Sequence, residues 1–248
     1  MIQINKDFKN NELHIFLWLF APILIFLIFL IINQLNPTFF SEFFQGEKGF
    51  IENGTFFILL ISIITNFSVI KKIKTKIYDT QYFLMILFLI GLVYFAGEEI
   101  SWGQHWFNWE TNNFFKNFND QSETNFHNIS SWFDQKPRFL LIIFVIFGGI
   151  ILPFSFNNNK NTFLLKSDSM KLFCPTFYSY PSSLMCLFIY SLDNLYKILC
   201  HGTPGVDIKC KYIPELLYFR TSEILEFYIS FFLLIYILSI NSRLKKII

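Results

Sequence analysis

Charge is scarce in this chain. Asp, Glu, Lys and Arg make up 15% of its 248 residues, and the formal net charge is only +2. A balance so close to zero, with basic residues at segment ends instead of on one face, gives no support to a nucleic-acid partner. Cysteine is scarce too: there are four, none in CxxC spacing, so a dithiol redox motif is excluded. HExxH is absent, and no repeat of fixed period is present. The one low-complexity patch is NNNKNTF at 157–163, read as a solvated loop. What abounds is apolar: 53% of residues are hydrophobic, 35 are Phe, and the mean hydropathy is +0.44. A soluble domain of this size could not hide that surface, so the chain reads as an integral membrane protein. The richness in Phe, Ile, Asn and Lys resembles the drift of an AT-rich genome, so a Phe at any one position says little about function.

About 20 apolar residues cross a bilayer core, and six runs qualify: roughly 14–34, 51–70, 81–97, 139–156, 172–192 and 223–240. The fifth contains Pro175, Pro181 and several serines and tyrosines, which helices inside a bundle tolerate. The first run lacks a cleavage-site pattern and exceeds a signal-peptide core, so it is read as a retained helix. The expected fold is all-α: a polytopic transmembrane bundle forming a single domain over 1–248. Lys71, Lys72, Lys74 and Lys76, then Lys160, Lys166 and Lys171, then Arg243, Lys245 and Lys246 occupy alternate connections and the tail. The positive-inside rule assigns those segments to the cytoplasm, and parity adds the N-terminus with Lys6 and Lys9. Residues 35–50, 98–138 and 193–222 are then extracytoplasmic. The connection of about 40 residues after Glu98 is long for a compact bundle, and such loops tend to carry function or short helices. It is expected to be amphipathic and to pack over the outer face.

That loop opens with GEEISWGQHW at 97–106. If the third helix continued past the membrane boundary, Glu98, Trp102, His105 and Trp109 would share one face, with Glu99 on the next. Trp102, Trp106, Trp109 and Trp132 fit an interfacial aromatic belt. The carboxylates are harder to place at a surface. Ionisable groups at a membrane boundary are costly and turn toward the protein interior or a wet cavity, and acidic residues at a helix C-terminus oppose its dipole. ETNFHN at 123–128 adds Glu123 and His127, one helical turn apart. Glu98, Glu99, Glu123 and His127 are therefore the candidate catalytic residues, as acid–base groups or ligands. Glu99, Glu123 and His127 are the candidate ligands for a divalent metal, the one cofactor these residue types suggest. Gln104, His105, Asn128, Glu52 and Glu226 are secondary candidates. Glu47 and Glu223 are explained by helix N-termini, Glu52 and Glu226 less well because they lie farther into apolar runs, and Arg220 is the nearest counter-ion in sequence.

GEKGFIE opening the second run, GEEISWGQ closing the third and ETNFHN in the loop together resemble a group of polytopic bacterial membrane proteins of uncharacterised function. The resemblance spans about the first 130 residues and the acidic start of the last helix. It implies a bacterial inner-membrane location and carries no reaction with it. The chain departs from the pattern at Asn53, where a tryptophan is expected, and at His105, where a basic residue such as Arg is expected, which leaves His127 as the better ligand. Paired glutamates also begin the E-E-x-x-x-R motif of intramembrane prenyl-processing proteases. Here Gly103 stands at the Arg position, and no later apolar run contains a histidine, so that likeness is superficial.

The leading functional expectation is an enzyme acting on a lipid or lipid-linked substrate at the extracytoplasmic interface, with membrane lipid as its partner. A proton-coupled transporter and a noncatalytic scaffold subunit are the alternatives. Cys200 and Cys210 flank a loop with Gly202, Pro204 and Gly205, where an oxidising compartment permits a disulfide. Topology is directly testable: Lys74→Cys should resist an impermeant thiol reagent in intact cells while Asn113→Cys reacts, and the reverse pattern would invert the orientation.

Overall fold

A computed structural model of the chain describes residues 12–46, 48–74, 79–118, 124–126, 129, 131–157, 172–201 and 221–247. Every regular element among them is helical. A π-helical turn (Phe16–Phe20) leads into α1 (Ala21–Leu35), followed by α2 (Pro37–Phe43), α3 (Phe50–Lys74) and α4 (Asp79–Glu99). Beyond α4 come the short helices α5 (Gln104–Phe107) and α6 (Asn113–Phe118), then α7 (Ser131–Ile146), a second π-helical turn (Phe147–Ile151) and α8 (Leu152–Asn157). A 3₁₀ turn (Phe177–Ser179) precedes α9 (Tyr180–His201), and α10 (Thr221–Ile247) ends the chain. The all-α polytopic bundle is thus observed.

Among the described residues, five helical segments are long and apolar enough to cross a membrane: Phe16–Leu35, Phe50–Ile73, Thr80–Glu99, Lys136–Phe154 and Thr221–Lys245. The remaining expected span, 172–192, is displaced. Its helix begins only at Tyr180, because Pro175 lies before the 3₁₀ turn and Pro181 takes the first helical turn, where a missing N–H costs nothing. It continues to His201 and so includes the polar residues Asp193 and Asn194, which leave it less apolar than the other five.

The five spans play two roles. In α10, 83% of the apolar window is buried, against 22–33% in the other four. This last helix packs against α3, α9 and α7, while α3 also packs against α4. Elsewhere large apolar side chains point outward in helical register, such as Leu24, Leu27, Ile28 and Ile31 on α1, Ile61 and Ile64 on α3, and Leu140 and Ile143 on α7. Lipid solvates such a surface and water does not.

Lipid tails give helices no hydrophobic reason to associate, so close packing and internal hydrogen bonds hold them together. Thr55, Ser62 and Thr65 donate to carbonyls one turn back along α3, at 3.0, 2.9 and 2.8 Å. Asn66, fully buried, donates across to the Met85 carbonyl of α4 at 3.0 Å. The end of the bundle opposite Glu99 carries a buried polar knot. There the Glu12 carboxylate accepts from the Thr176 hydroxyl at 3.0 Å and from Ser239, and lies 3.8 Å from Arg243 Nε. Arg243 also donates to the Cys174 carbonyl at 2.9 Å. The knot ties the N-terminal segment and the segment before α9 to the last helix.

Packing is tightest at Gly149, where an added Cβ would lie 1.9 Å from Ser183 Oγ and 2.7 Å from the Phe232 ring. Gly149→Ala should therefore cost about 1–3 kcal/mol through overpacking. Thermal unfolding in detergent reads this, and an unchanged midpoint would mean that α9 and α10 do not close on the second π-helical turn as described.

Candidate functional site

The opening motif folds as a stop. α4 ends at Glu99, and the next three residues after Ile100 all take positive φ: Ser101 at 46°, Trp102 at 56° and Gly103 at 103°. The condition for Glu98, Trp102, His105 and Trp109 to share one face, a helix continuing past Glu99, is not met, because a right-handed helix cannot pass through three left-handed residues. Each non-glycine residue held there costs of order 1–3 kcal/mol, and such strain gathers at functional sites. The turn throws the Trp102 indole back across α4. A Cβ at Gly97 would sit 2.9 Å from that ring, so the glycine permits the close approach.

The folded-back indole fixes Glu98. Trp102 Nε1 donates to Glu98 Oε1 at 2.8 Å, and the backbone N–H of Phe126 donates to Glu98 Oε2 at 2.8 Å. With one donor on each oxygen, this carboxyl is held in one orientation. Gln104 braces the same loop, donating to Thr111 Oγ1 at 2.7 Å and to the Trp109 carbonyl at 3.2 Å while accepting from the Thr124 N–H at 2.7 Å. Asn125 donates to Ser101 Oγ at 2.9 Å, and that hydroxyl lies 2.9 Å from His105 Nε2. His105 thus belongs to the loop's bracing. It is not among the side chains lining the cavity below. Trp106 packs edge-on against Phe56 and donates to Asn53 Oδ1 at 2.9 Å, seating the loop over the start of α3.

Beneath this cap lies a cavity of about 380 Å³ enclosed by α4, α7 and α10. Glu52, Glu98, Glu99, Glu226 and Arg138 line its polar end, and Leu87, Phe88, Phe144 and Leu233 its apolar end. On α4 the lining runs from Glu99 to Leu87, about 18 Å at 1.5 Å per residue. Its mouth is lateral: Leu87 and Gly91 on α4 and Leu140 on α7 line it, are exposed, and lie within apolar spans.

The carboxyls here are not equivalent. Glu226 accepts a short hydrogen bond from Arg138. Glu223, at the start of α10, accepts the Gly46 N–H on both oxygens, at 3.1 and 3.2 Å, and pins the turn between α2 and α3. Glu99 differs from both. It is 8% exposed and lines the cavity, and no hydrogen bond reaches it among the described residues, although Glu226, Glu52, Arg138 and Glu223 all act on its charge. Four lining carboxyls face one guanidinium, so protons or an incoming group must neutralise the excess. A buried carboxyl with no hydrogen bond among the described residues calls for a chemical explanation.

Sequence reasoning proposed Arg220 as counter-ion. That residue lies outside the described residues, and the guanidinium in the cavity belongs to Arg138. Its one sequence signal is a charge beside Pro137 at the mouth of an apolar run. Glu123, His127, Asn128 and Cys210 also lie outside the described residues, as does the side chain of Cys200, so the proposed disulfide and the loop ligands fall there. Among the described residues, no three His, Cys, Asp or Glu side chains converge as metal ligands would. Against family models, curated proteins and solved structures, the chain has no match.

Gly97→Ala should cost about 1–3 kcal/mol by displacing the indole. In a Trp102→Ala background most of that cost should vanish, since the ring supplies the close contacts. Equal destabilisation in both backgrounds, read by thermal unfolding, would dissociate Gly97 from Trp102.

Proposed function

We propose that this protein is a membrane-embedded enzyme acting on a lipid or lipid-linked substrate at the extracytoplasmic interface, in the bacterial inner membrane with both termini cytoplasmic. The observation that carries the reading is Glu99: a buried carboxyl, with no hydrogen bond among the described residues, at the polar end of a cavity whose mouth opens between two lipid-facing helices. A lipid entering sideways would bring its head to Glu99 and leave its chain against Phe88 and Phe144. Glu99 then serves as the acid–base group, exchanging a proton with the substrate head. Its proton affinity is set by burial and by the carboxyls around it. Glu98, fixed by Trp102 and Phe126, supplies a stationary negative charge beside it. Arg138 holds Glu226 and leaves Glu99 to the substrate.

Glu123 and His127 remain in the proposal as groups supplied by the loop, because their sequence neighbours Thr124 and Phe126 bond to Gln104 and Glu98. A divalent metal would need ligands from those two in addition to Glu99. The distribution of charge favours this reading over a proton-coupled carrier, whose titratable groups would stand near the midplane. Here the charged lining residues sit at one end. A scaffold subunit would not need a carboxyl buried in a lateral cavity.

Purified protein incubated with total bacterial lipid extract should convert one lipid species, followed by mass spectrometry over time. Glu99→Gln should slow the conversion at least about 100-fold, the usual share of a positioned acid–base group, with the melting temperature preserved. Conversion at the wild-type rate by Glu99→Gln would overturn the assignment.

A further inference from the structure

A second cavity of about 360 Å³ lies farther along the same helices, lined by Gln81 and Leu84 of α4, Phe173 and Cys174 before α9, and Tyr236 of α10. Phe88 and Phe144 line both cavities. Both rings meet Tyr236 edge-on, with centroids 5.4 and 5.6 Å away. The Tyr236 hydroxyl is occupied by the Phe173 carbonyl at 2.9 Å, so at this waist the tyrosine presents a ring and no free donor. From Glu99 to Gln81 the two linings cover 19 residues of α4, about 27 Å, close to the roughly 30 Å of a bilayer's hydrocarbon core. The upper cavity alone covers about 18 Å, little more than the depth of one leaflet.

We infer that the two cavities form one groove, pinched by Phe88, Phe144 and Tyr236, that takes a single long lipid chain bearing a hydroxyl or amine head. This deepens the reading of the preceding subsection and rests on it. The head assignment follows from charge. Carboxyls accept hydrogen bonds and repel anions, and among the described lining residues four carboxyls stand against one guanidinium that already bonds Glu226, so a hydroxyl or ammonium head is favoured there over a phosphate. The single chain follows from size, since each cavity lies at the small end of ligand pockets. The length follows from the waist, whose three aromatic rings line a chain's path without offering it a polar partner. Moving a chain from bilayer to groove gains little hydrophobic energy, because tails are already in oil, so selection rests on fit along the path.

Two variants test path and site separately. At Gly91 an added Cβ meets nothing within 4 Å, so Gly91→Leu fills the upper cavity without straining the helix. Leu84→Trp narrows the lower cavity. The probes are dodecanol, whose chain suits the upper cavity alone, eicosanol, whose chain suits both, and eicosyl phosphate; the readout is probe retained on purified protein by native mass spectrometry. The wild type should retain eicosanol about tenfold better than dodecanol or eicosyl phosphate, a difference of about 1.4 kcal/mol. Leu84→Trp should erase the preference for length, and Gly91→Leu should lose both alcohols. Equal retention of the two alcohols by the wild type would overturn the long groove and leave the lipid site standing. Eicosyl phosphate held more tightly than eicosanol would overturn the head assignment. Retention of neither alcohol above the Gly91→Leu level would sink the lipid site itself.

Discussion

A polar group below the surface of a membrane has no water to fall back on, and α10 carries such groups along its whole length. Glu226 pairs with Arg138 of α7, and Glu223 takes the Gly46 N–H. The Tyr228 hydroxyl donates to the Pro22 carbonyl of α1 at 2.6 Å, and the Tyr236 hydroxyl to Phe173. Ser239 and Arg243 close on Glu12. Each bond reaches a different part of the chain, so satisfying α10 places its neighbours. The apolar surface of the surrounding helices cannot do this, because it is as content in lipid as in protein. Breaking a buried pair such as Glu12 with Arg243 typically costs about 3–5 kcal/mol, since it strands a charge. Here it would also release the N-terminal segment.

Against that thorough satisfaction, Glu99 stands out. Glu98 one position earlier holds two donors, and Glu226 across the cavity holds a guanidinium. The left-handed turn after α4 accounts for the difference. By folding Trp102 back over Gly97 it directs the available donors at Glu98 and leaves Glu99 to the cavity. The strain of that turn is thus tied to the exposure of Glu99 to the cavity.

Much of this was legible in the sequence, and the remainder was hidden for physical reasons. Apolar runs marked five spans because bilayer thickness dictates their length. The fifth run slipped by about eight residues at its start, where Pro175 precedes the 3₁₀ turn and Pro181 takes the first helical turn, local features that hydropathy averages away. Glu52, Glu98, Glu99 and Glu226 could be singled out because a charge beside an apolar run is costly wherever it lies. Their arrangement could not. Arg138 meets Glu226 across 88 positions and Glu12 meets Arg243 across 231, and no local pattern encodes such pairings. The left-handed turn was missed because Ser101 and Trp102 seldom adopt it, and only Gly103 signals one.

The same asymmetry separates the functional readings. Coupling to protons across a membrane requires a titratable group reachable from each side in turn, and the natural place for it is midway along the path. Between the two cavities stand Phe88, Phe144 and Tyr236; both phenylalanine rings meet the tyrosine edge-on, and its hydroxyl is already engaged. Such a waist lets a hydrocarbon lie across it but gives a proton or a hydrated solute nothing to bind. The charge is confined to the end where a lipid head would rest, and the apolar length lies where its tail would lie. The proposed chemistry on lipid heads, with the bundle holding their tails, would account for the polar end and the apolar length together.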